Sequence, residues 1–285
     1  MKRKITVFDC VNFLILLAVL FITIYPLWYV LCISLSSTEM INSGTVTLYP
    51  KGFNFAAYKQ IFGTSKILRA YSNSVVYTAI GTLCCMAMTI VFVYPLSRKN
   101  FVLRKPITVL ITITLYFTGG LIPTFLVVQG TGLLDSMWSL IIPNIIWTFD
   151  AILLRNFFEG VPAELHEAAI IDGANELKIL TKIYIPLSTS ALATIALFYA
   201  MGQWNSYLLP SIYITSYEKL PLPVILRDML MEDTNSNPNS IASGQITPEA
   251  LKNATMFVSI LPFLIFYPYL QKYFVKGLTM GAVKG

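Results

Sequence analysis

The chain has 285 residues, of which 56% are hydrophobic and only 12% are charged. Soluble globular domains are about half apolar and a quarter charged, so this composition excludes an ordinary soluble protein and indicates an integral membrane protein. The net charge of +6 does not indicate nucleic-acid binding, because Lys and Arg are distributed by membrane side, and we expect no nucleic-acid partner.

Six apolar stretches are long enough to cross a bilayer, which takes about 20 residues in a helix. None has the alternating pattern of a barrel strand, and helices are the other structure that satisfies its own backbone in lipid. The sequence therefore predicts an all-α, polytopic membrane protein with one transmembrane domain over residues 1–285. The predicted spans are 8–35, 70–97, 106–129, 136–157, 183–210 and 252–275.

The apolar stretch at 8–35 follows Lys2, Arg3 and Lys4. It is too long for the core of a signal peptide and has no small-residue cleavage site, so we expect an uncleaved first helix. With the N-terminus inside, Lys and Arg are more numerous in the cytoplasmic segments than in the external ones. The sequence therefore predicts a multi-pass protein of the cell membrane with both termini, and the loop 158–182, in the cytoplasm.

Two long loops are predicted on the external side. The loop 36–69 interleaves aromatic residues with Gly and Pro, which indicates a structured segment with short interfacial helices. The loop 211–251 is the longest polar stretch and has two interpretations. It is either a mobile connection or, because a helical piece can be recognised at 222–231, a docking surface for an external partner.

No residue pattern indicates catalysis or metal binding. Cys10, Cys32, Cys84 and Cys85 lie in or beside predicted spans, lack metal-ligand spacing, and are interpreted as packing residues. The histidine at 166 has no companion ligands placed to complete a metal or catalytic site. The chain also lacks the phosphate-binding loop of ATPases, so we expect it neither to hydrolyse ATP nor to bind a cofactor itself.

Polar and aromatic residues recur at helical spacing inside the fourth and fifth predicted spans. They are Asn144, Trp147 and Thr148, on a face with Ala151, and Met201, Trp204 and Asn205, on a face with Leu208. Polar amides are costly in lipid, so both faces should point to protein or to a water-filled path. One interpretation is a carbohydrate path in which indole rings stack on sugars and amides bind hydroxyls. The other is hydrogen bonding between helices, with Trp anchored at the interface.

Asp150 is the acidic residue deepest within a predicted span. An ionised carboxylate there costs roughly 2.5–3.5 kcal/mol on insertion scales. It is either a coupling site for a proton or ion, or a structural carboxylate held by Arg155 or by a partner helix. We favour the structural role, because no second acidic group forms a relay.

The polar loop 158–182 is predicted to contain two short helices. Pro162 suits the first turn of a helix, and Asp172–Gly173 gives a helix stop because Gly adopts left-handed geometry at little cost. A second short helix then begins near Ala174. Two short helices at an angle form a compact knob, which is either a docking element for a partner or an ordinary pair of interfacial helices.

The same loop resembles the EAA loop of binding-protein-dependent ABC importer permeases. That family's pattern is Glu-Ala-Ala, three residues, Gly, nine residues, Ile, one residue and Leu-Pro. Ile185 replaces the usual Leu, and the matching residues are Glu167, Ala168, Ala169, Gly173, Ile183 and Pro186. The resemblance implies that the knob seats in a groove of an ATPase subunit. The coupling residues it implies are Glu167, Ala168, Ala169, Asp172, Gly173 and Ala174.

Further segments extend the resemblance to nearly the whole chain. The C-terminal sequence resembles the tail of carbohydrate-type permeases, in particular the smaller subunit of maltose-type importers, as does the Trp204–Asn205 pair. The segment 117–124, FTGGLIPT, is similar to permeases for complex oligosaccharides such as pectin or alginate fragments. The resemblance implies an ATPase-contacting tail that includes Gly277, Thr279, Gly281 and Lys284.

These matches together imply a permease subunit of an ATP-driven ABC importer for an oligosaccharide or a polysaccharide fragment. The implied partners are two ABC ATPase subunits that bind ATP and Mg²⁺, a second homologous permease, an extracytoplasmic solute-binding protein and membrane lipid. The alternatives are import of a smaller sugar or polyol, a stand-alone secondary transporter, and a membrane scaffold that transports nothing. A secondary transporter is disfavoured because the sequence shows neither an inverted repeat nor a pair of helices broken by Gly or Pro.

Overall fold

The structure is a computed structural model that describes residues 6–232, 247–262 and 264–265. Every regular element in those ranges is a helix, which confirms the predicted all-α class. The chain divides into two compact units. The first contains residues 1–68 and 225–262, and the second contains residues 69–224 and 263–285.

The first unit begins with a long apolar helix. Its helices are α1 Val7–Ser34, α2 Thr38–Asn42, α3 Ala56–Gly63 and a helix over 248–262. Thr6 starts α1 through a capping box, because its hydroxyl accepts from the Asp9 N–H and the Asp9 carboxylate accepts from the Thr6 N–H. At 1.5 Å per residue α1 is about 42 Å long, more than the roughly 30 Å hydrocarbon core. None of its most apolar window is buried within the protein, so α1 offers its surface to lipid or to a partner.

The segment that follows α1 is folded rather than extended. Ile41, Val46 and Ile61 are buried in it, and the Trp28 indole N–H donates to the Leu48 carbonyl at 2.6 Å. This hydrogen bond ties the segment to the end of α1. The prediction of a structured loop with short helices at 36–69 is therefore confirmed.

The second unit holds most of the helices. They are α4 Ser65–Ser97, α5 Arg104–Tyr116, α6 Leu121–Gly130, α7 Trp138–Ile141, α8 Thr148–Glu159, α9 Ala163–Ile171, α10 Glu176–Ile179, α11 Ile185–Leu187, α12 Thr189–Trp204 and α13 Leu208–Tyr213. The first residues of α4 belong to the first unit, as do residues 225–232 of the last helix, α14 Leu222–Glu232. The elements α10 and α11 are joined by a π-helical turn, Leu180–Tyr184, into one continuous helix. Short 3₁₀ turns lie at Ile142–Asn144 and Tyr217–Lys219.

The core of this unit joins α4, α8, the Glu176–Leu187 helix and α12. Its fully buried side chains include Val93, Leu154, Tyr184, Ile195 and Tyr199. Two hydroxyls are satisfied inside it, because the Tyr199 hydroxyl lies 2.7 Å from the Thr89 hydroxyl. Since a buried polar group is costly unless it is hydrogen-bonded, this pair fixes how α4 and α12 meet.

Three predicted spans are bent in the structure. Among the described residues, the helices α1 and α4 are long and apolar enough to cross a membrane as single helices. Up to five crossings result in this part of the chain if each bent pair is one span. The pairs are α5 with α6, bent by 117°, Trp138–Asn144 with α8, bent by 53°, and Glu176–Leu187 with α12, bent by 85°. The predicted spans at 106–129, 136–157 and 183–210 each overlap one of these bent pairs, and their membrane crossings stay predictions.

These bends have local causes, so the expectation that the sequence holds no pair of helices broken by Gly or Pro is wrong. Gly120 adopts a φ of +82° between α5 and α6, and Pro143 lies in the 3₁₀ turn before α8. Gly permits the left-handed region, and Pro removes a backbone donor that a continuous helix needs. Of the predicted sixth span, 252–275, residues 252–262 and 264–265 are described and helical, and the others lie outside the described residues.

Candidate coupling site and membrane path

The helices α9 and α10, with the loop between them, form the predicted knob. The helix α9 ends at Ile171, and Gly173 follows with a φ of +74°. The Gly173 N–H donates to the Ile170 carbonyl at 3.0 Å and the Ala174 N–H donates to the Ala169 carbonyl at 2.9 Å, which together form a Schellman stop. The predicted stop at Gly173 is confirmed, and Pro162 precedes α9 as its N-cap instead of lying in its first turn.

The second helix of the knob starts on an asparagine cap. The Asn175 side chain accepts from the Lys178 N–H at 2.8 Å, and α10 begins at the next residue. Since an N-cap side chain satisfies a donor that the helix leaves unpaired, this bond fixes where the chain turns back. The turn between the two helices is therefore set by local sequence at both ends.

The outer surface of the knob is exposed and partly apolar. The structure brings Glu167, Ala168, Asp172 and Gly173 together on this exposed surface, with Ala169 and Ala174 half-buried behind them. Ile171 is 85% exposed and Leu177 is 68% exposed beside them. Large apolar side chains exposed on a polar loop are available for contact with a partner. Sequence reasoning missed these two residues, although their position beside the EAA residues was a signal.

The inner side of α9 carries a buried imidazole. His166 is 4% exposed, and its Nε2 lies 3.7 Å from a carboxylate oxygen of Glu176. Burial lowers the pKa of the His166 imidazole, and the positive charge of Arg98 lowers it further against the opposing effect of Glu176. The ring is therefore neutral at pH 7, and its Nδ1 has no hydrogen-bond partner among the described residues.

A cleft of about 550 Å³ opens beside this imidazole. It separates α9 from the turn that follows α4. Its lining is Tyr94, Pro95, Arg98, Asn100, Phe101, His166, Ile170 and Glu176. The cleft thus lies between the knob and the turn that follows α4.

The predicted face of the fourth span is not one helical face. Asn144 lies in the 3₁₀ turn and Trp147 has extended backbone before α8, because the helix breaks between them. The Trp147 ring packs at 4.9 Å from the Tyr199 ring, whereas the Thr148 hydroxyl lies 3.0 Å from the Thr114 hydroxyl. The prediction that Asn144, Trp147 and Thr148 share a face is therefore wrong.

The predicted face of the fifth span is also divided. The helix α12 ends at Trp204, Asn205 is its C-cap, and Leu208 starts a separate helix. Trp204 is 6% exposed and packs edge-on against Tyr71 at 5.7 Å, while Met201 and Asn205 are exposed. Leu208 is exposed as well, so of this predicted face the indole assigned to stacking is the residue that is covered in this conformation.

Asp150 is buried in the first turn of α8. Its predicted partner Arg155 instead donates to Glu159 at 2.6 Å and to Thr108 at 3.0 Å, so the prediction that Arg155 holds Asp150 is wrong. One Asp150 carboxyl oxygen has no hydrogen-bond partner among the described residues. The N-terminal end of α8 supplies a favourable dipole for this carboxyl.

A cluster that sequence reasoning missed holds the segment after α13. Asp135 accepts from the N–H groups of Thr215 and Ser216 at 3.0 and 2.8 Å, from the Ser216 hydroxyl at 2.6 Å and from the Lys219 ammonium at 2.6 Å. The Lys219 ammonium, followed by the Ser216 hydrogen bonds, holds the pKa of the Asp135 carboxyl well below its usual range. Asp135 also has a φ of +57°, a region that Asp tolerates better than most residues. The residues it joins are about 80 positions apart, so local sequence carries no signal for it.

The predicted tail residues Gly277, Thr279, Gly281 and Lys284 lie outside the described residues. The described part of the chain is thus a bent-helix membrane protein with an exposed docking knob on one of its connecting loops.

That architecture is typical of a transporter permease. A model of the family described as "Binding-protein-dependent transport system inner membrane component" matches residues 55–280, so the chain belongs to that family. The resemblance inferred from the EAA loop is confirmed, and the protein is a membrane-embedded transport subunit.

Relatives with similar sequences match this chain over nearly its whole length. The chain is 40% identical to the polygalacturonan/rhamnogalacturonan transport system permease protein of Bacillus subtilis, over 100% of both chains. It is 29% identical to the arabinooligosaccharides transport system permease protein of the same organism, over 96% of this chain and 94% of the relative. A crystal structure of a bacterial ABC transporter involved in the import of the acidic polysaccharide alginate contains a chain that matches with a TM-score of 0.90. That match has 34% sequence identity and covers 96% of this chain and 99% of the other.

Proposed function

We propose that this chain is the permease subunit of an ATP-driven importer that moves an oligosaccharide or a polysaccharide fragment into the cell. The observation that carries the proposal is the exposed knob, formed by α9, α10 and the loop between them, on a chain that belongs to a binding-protein-dependent transport family. The substrate class is supported by relatives named for polygalacturonan, rhamnogalacturonan and arabinooligosaccharides, and by a structural neighbour that imports alginate.

The proposed complex contains partners that supply what this chain lacks. Two ABC ATPase subunits bind ATP and Mg²⁺ and hydrolyse the nucleotide, and a second homologous permease completes the path. An extracytoplasmic solute-binding protein delivers the saccharide to the external loops 36–69 and 211–251. In this arrangement both termini and the knob lie in the cytoplasm, and six spans contact lipid.

The knob is proposed to couple ATP hydrolysis to movement of the helices. Exposed Ile171 and Leu177 gain about 1.5–3 kcal/mol each if a partner groove buries them. The small side chains of Ala168 and Gly173 allow that groove to approach the backbone, and Glu167 offers an anion to a basic residue. The tail residues Gly277, Thr279, Gly281 and Lys284 are proposed as a second ATPase contact.

The saccharide path is proposed to use uncharged groups. Met201 and Asn205 are exposed at the end of α12, and an amide binds a sugar hydroxyl for about 0.5–1.5 kcal/mol net. Contacts of this strength permit release as well as binding. Asn144, Trp147, Thr148 and Trp204 join the path only if the helices rearrange, because three of them contact other side chains in this conformation.

A charge reversal on the knob tests the coupling proposal. In the assembled importer, Glu167→Lys should lower uptake by at least 10-fold, because the anion that faces the ATPase becomes a cation. Glu164→Lys is the matched control, since it makes the same charge change on the same helix at another exposed position. We expect near-normal uptake in the control. Equal uptake in both variants would contradict the assignment of Glu167.

A further inference from the structure

A buried tyrosine connects the coupling loop with the end of α4. Tyr184 lies in the π-helical turn that follows α10 and is 2% exposed. Its ring meets the edge of Tyr94 at 5.1 Å, Phe158 at 5.5 Å and His166 at 6.2 Å. A single side chain therefore contacts α4, α8 and α9 at once.

Two hydrogen bonds join the same elements. Arg98, just after α4, donates to the Tyr184 hydroxyl and lies over its ring at 5.7 Å. The Tyr94 hydroxyl, on the last turns of α4, donates to the Glu176 carboxylate, which begins α10. Each bond pairs a charged group with a neutral one, and such bonds are stronger than those between two neutral groups.

Packing beside these bonds is incomplete on one side. The cleft of about 550 Å³ lies between α9 and the turn at Asn100 and Phe101. The knob and α4 are therefore joined by the apolar core around Tyr184 and by the two hydrogen bonds, which lie at the edge of the cleft.

We propose that Arg98, Tyr94, Glu176 and Tyr184 form a latch that makes the coupling knob and the cytoplasmic end of α4 move as one body. The proposal rests on the proposed function and extends it, because it names the groups through which movement of the knob reaches a membrane helix. The four are positioning residues. Arg98 orients Tyr184 through its hydroxyl, and Tyr94 orients Glu176 through its carboxylate.

The π-helical turn is part of the device. A π turn holds an extra residue within a helix and often lies at a functional position. Here the π turn Leu180–Tyr184 follows Glu176 in the same helix. Glu176 and Tyr184, eight positions apart, both face α4. The two hydrogen bonds hold the Glu176–Leu187 helix at two points. Rotation of this helix about one of the bonds would therefore break the other.

The test removes one hydroxyl at a time in the assembled importer in proteoliposomes. Tyr94→Phe and Tyr184→Phe keep the rings, so the chain should fold with nearly unchanged thermal stability. We expect saccharide imported per ATP hydrolysed to fall by about 3- to 10-fold. Tyr58→Phe is the matched control, because its hydroxyl lies 2.7 Å from the Ser34 hydroxyl in the other compact unit. Equal transport ratios in all these proteins would overturn the latch.

A pair of changes at Glu176 separates positioning from simple packing. Glu176→Gln keeps an oxygen that accepts from Tyr94, so coupling should be largely retained. Glu176→Ala removes the acceptor and should behave like Tyr94→Phe. Coupling lost equally in both Glu176 variants would contradict the role of the hydrogen bond.

A distance measurement tests the latch without any substrate. Nitroxide labels on Lys99→Cys and Lys178→Cys, in a Cys10→Ser background, report the separation between the end of α4 and the knob. We predict one narrow distance distribution, the same with and without nucleotide, that broadens when Tyr94→Phe and Tyr184→Phe are combined. A shift between nucleotide states in the otherwise unchanged protein would overturn the latch. Absence of saccharide uptake together with a narrow, constant distance would count against the proposed function instead.

Discussion

The replacement of Gly202 by alanine tests how the two bent spans pack. A Cβ atom at 202 would lie 1.9 Å from Cη2 of Trp147 and 2.9 Å from its Cζ2 and Cζ3 atoms. Real Cβ contacts are never this short, so either α12 or the indole must move. The indole has little freedom, because its ring packs on the Tyr199 ring at 4.9 Å, and the backbone N–H of Trp147 donates to the hydroxyl of the same Tyr199 at 3.0 Å.

The expected magnitude is a balance of two effects. Overpacking a core typically costs about 1–3 kcal/mol, and a contact this short belongs at the upper end. In a helix interior, alanine is more favourable than glycine by about 1 kcal/mol of helix propensity, which offsets part of this cost. Gly202→Ala should therefore lower the free energy of unfolding by about 2 kcal/mol, which thermal unfolding of the purified complex in detergent measures.

A matched control and a double mutant make this prediction specific. A Cβ at Gly81 would lie 3.0–3.2 Å from the flexible side chain of Gln203, which can shift, so Gly81→Ala should cost much less. Trp147→Phe removes the outer ring atoms that clash, and combining it with Gly202→Ala should recover most of the loss. Double-mutant cycles resolve interaction energies of 0.5–3 kcal/mol between contacting residues. If Gly202→Ala proves as stable as Gly81→Ala, or if Trp147→Phe gives no relief, the close approach of these helices is refuted.

Four further predictions concern the knob, the hydrogen-bonded cluster around Asp135 and the proposed saccharide path. Gly173→Trp should uncouple uptake from ATP hydrolysis while the spans stay folded, because its φ of +74° strains any other residue, and an unchanged ratio of uptake to hydrolysis would count against it. Asp135→Ala should increase hydrogen exchange at 214–219 more than Asp135→Gly does, since glycine accepts the φ of +57°; equal exchange in both would exclude backbone strain. The pKa of Asp135 is depressed, so its contribution is present in full above the ordinary value of 3.8 and is lost as pH falls through the lower folded pKa. Protection of the amides at 214–219, corrected for the intrinsic pH dependence of amide exchange, should therefore be the same at pH 7 and pH 5. A cysteine at Asn205 should react with aqueous reagents and one at Trp204 should react far more slowly; the reverse order would show that the indole lines the path.

Local chemistry was predictable from the sequence. The stop at Gly173 follows from a glycine after an aspartate at the end of a helical pattern, and the structure shows the expected left-handed residue and its two hydrogen bonds. The helical class follows from apolar stretches too long for strands. These features depend on a few neighbouring residues, which is why the sequence contains them.

The shape of the spans was not predictable from hydropathy alone. Apolar length indicates that a segment enters the membrane, but it does not show where the helix bends. Gly120 and Pro143 were visible signals for two bends, and the expected faces failed because they assumed uninterrupted 3.6-residue periodicity. Residues before and after a break in a helix do not lie on one helical face.

The contacts of the latch could not be predicted from the sequence for a different reason. Arg98 and Tyr184 are 86 positions apart, and Tyr94 and Glu176 are 82 positions apart. Which residues meet depends on how α4 packs against the Glu176–Leu187 helix, and no local pattern encodes that packing. The same holds for Asp135 and Lys219.

The central claim is that this chain imports a saccharide only as part of an ATP-driven complex. The most direct measurement is uptake of a labelled oligogalacturonide into proteoliposomes that hold the complete importer, with its binding protein outside and ATP within. We predict uptake that requires both the binding protein and hydrolysable ATP, and that does not respond to a proton gradient. Uptake by this chain alone, driven by an ion gradient with no ATPase present, would contradict the account.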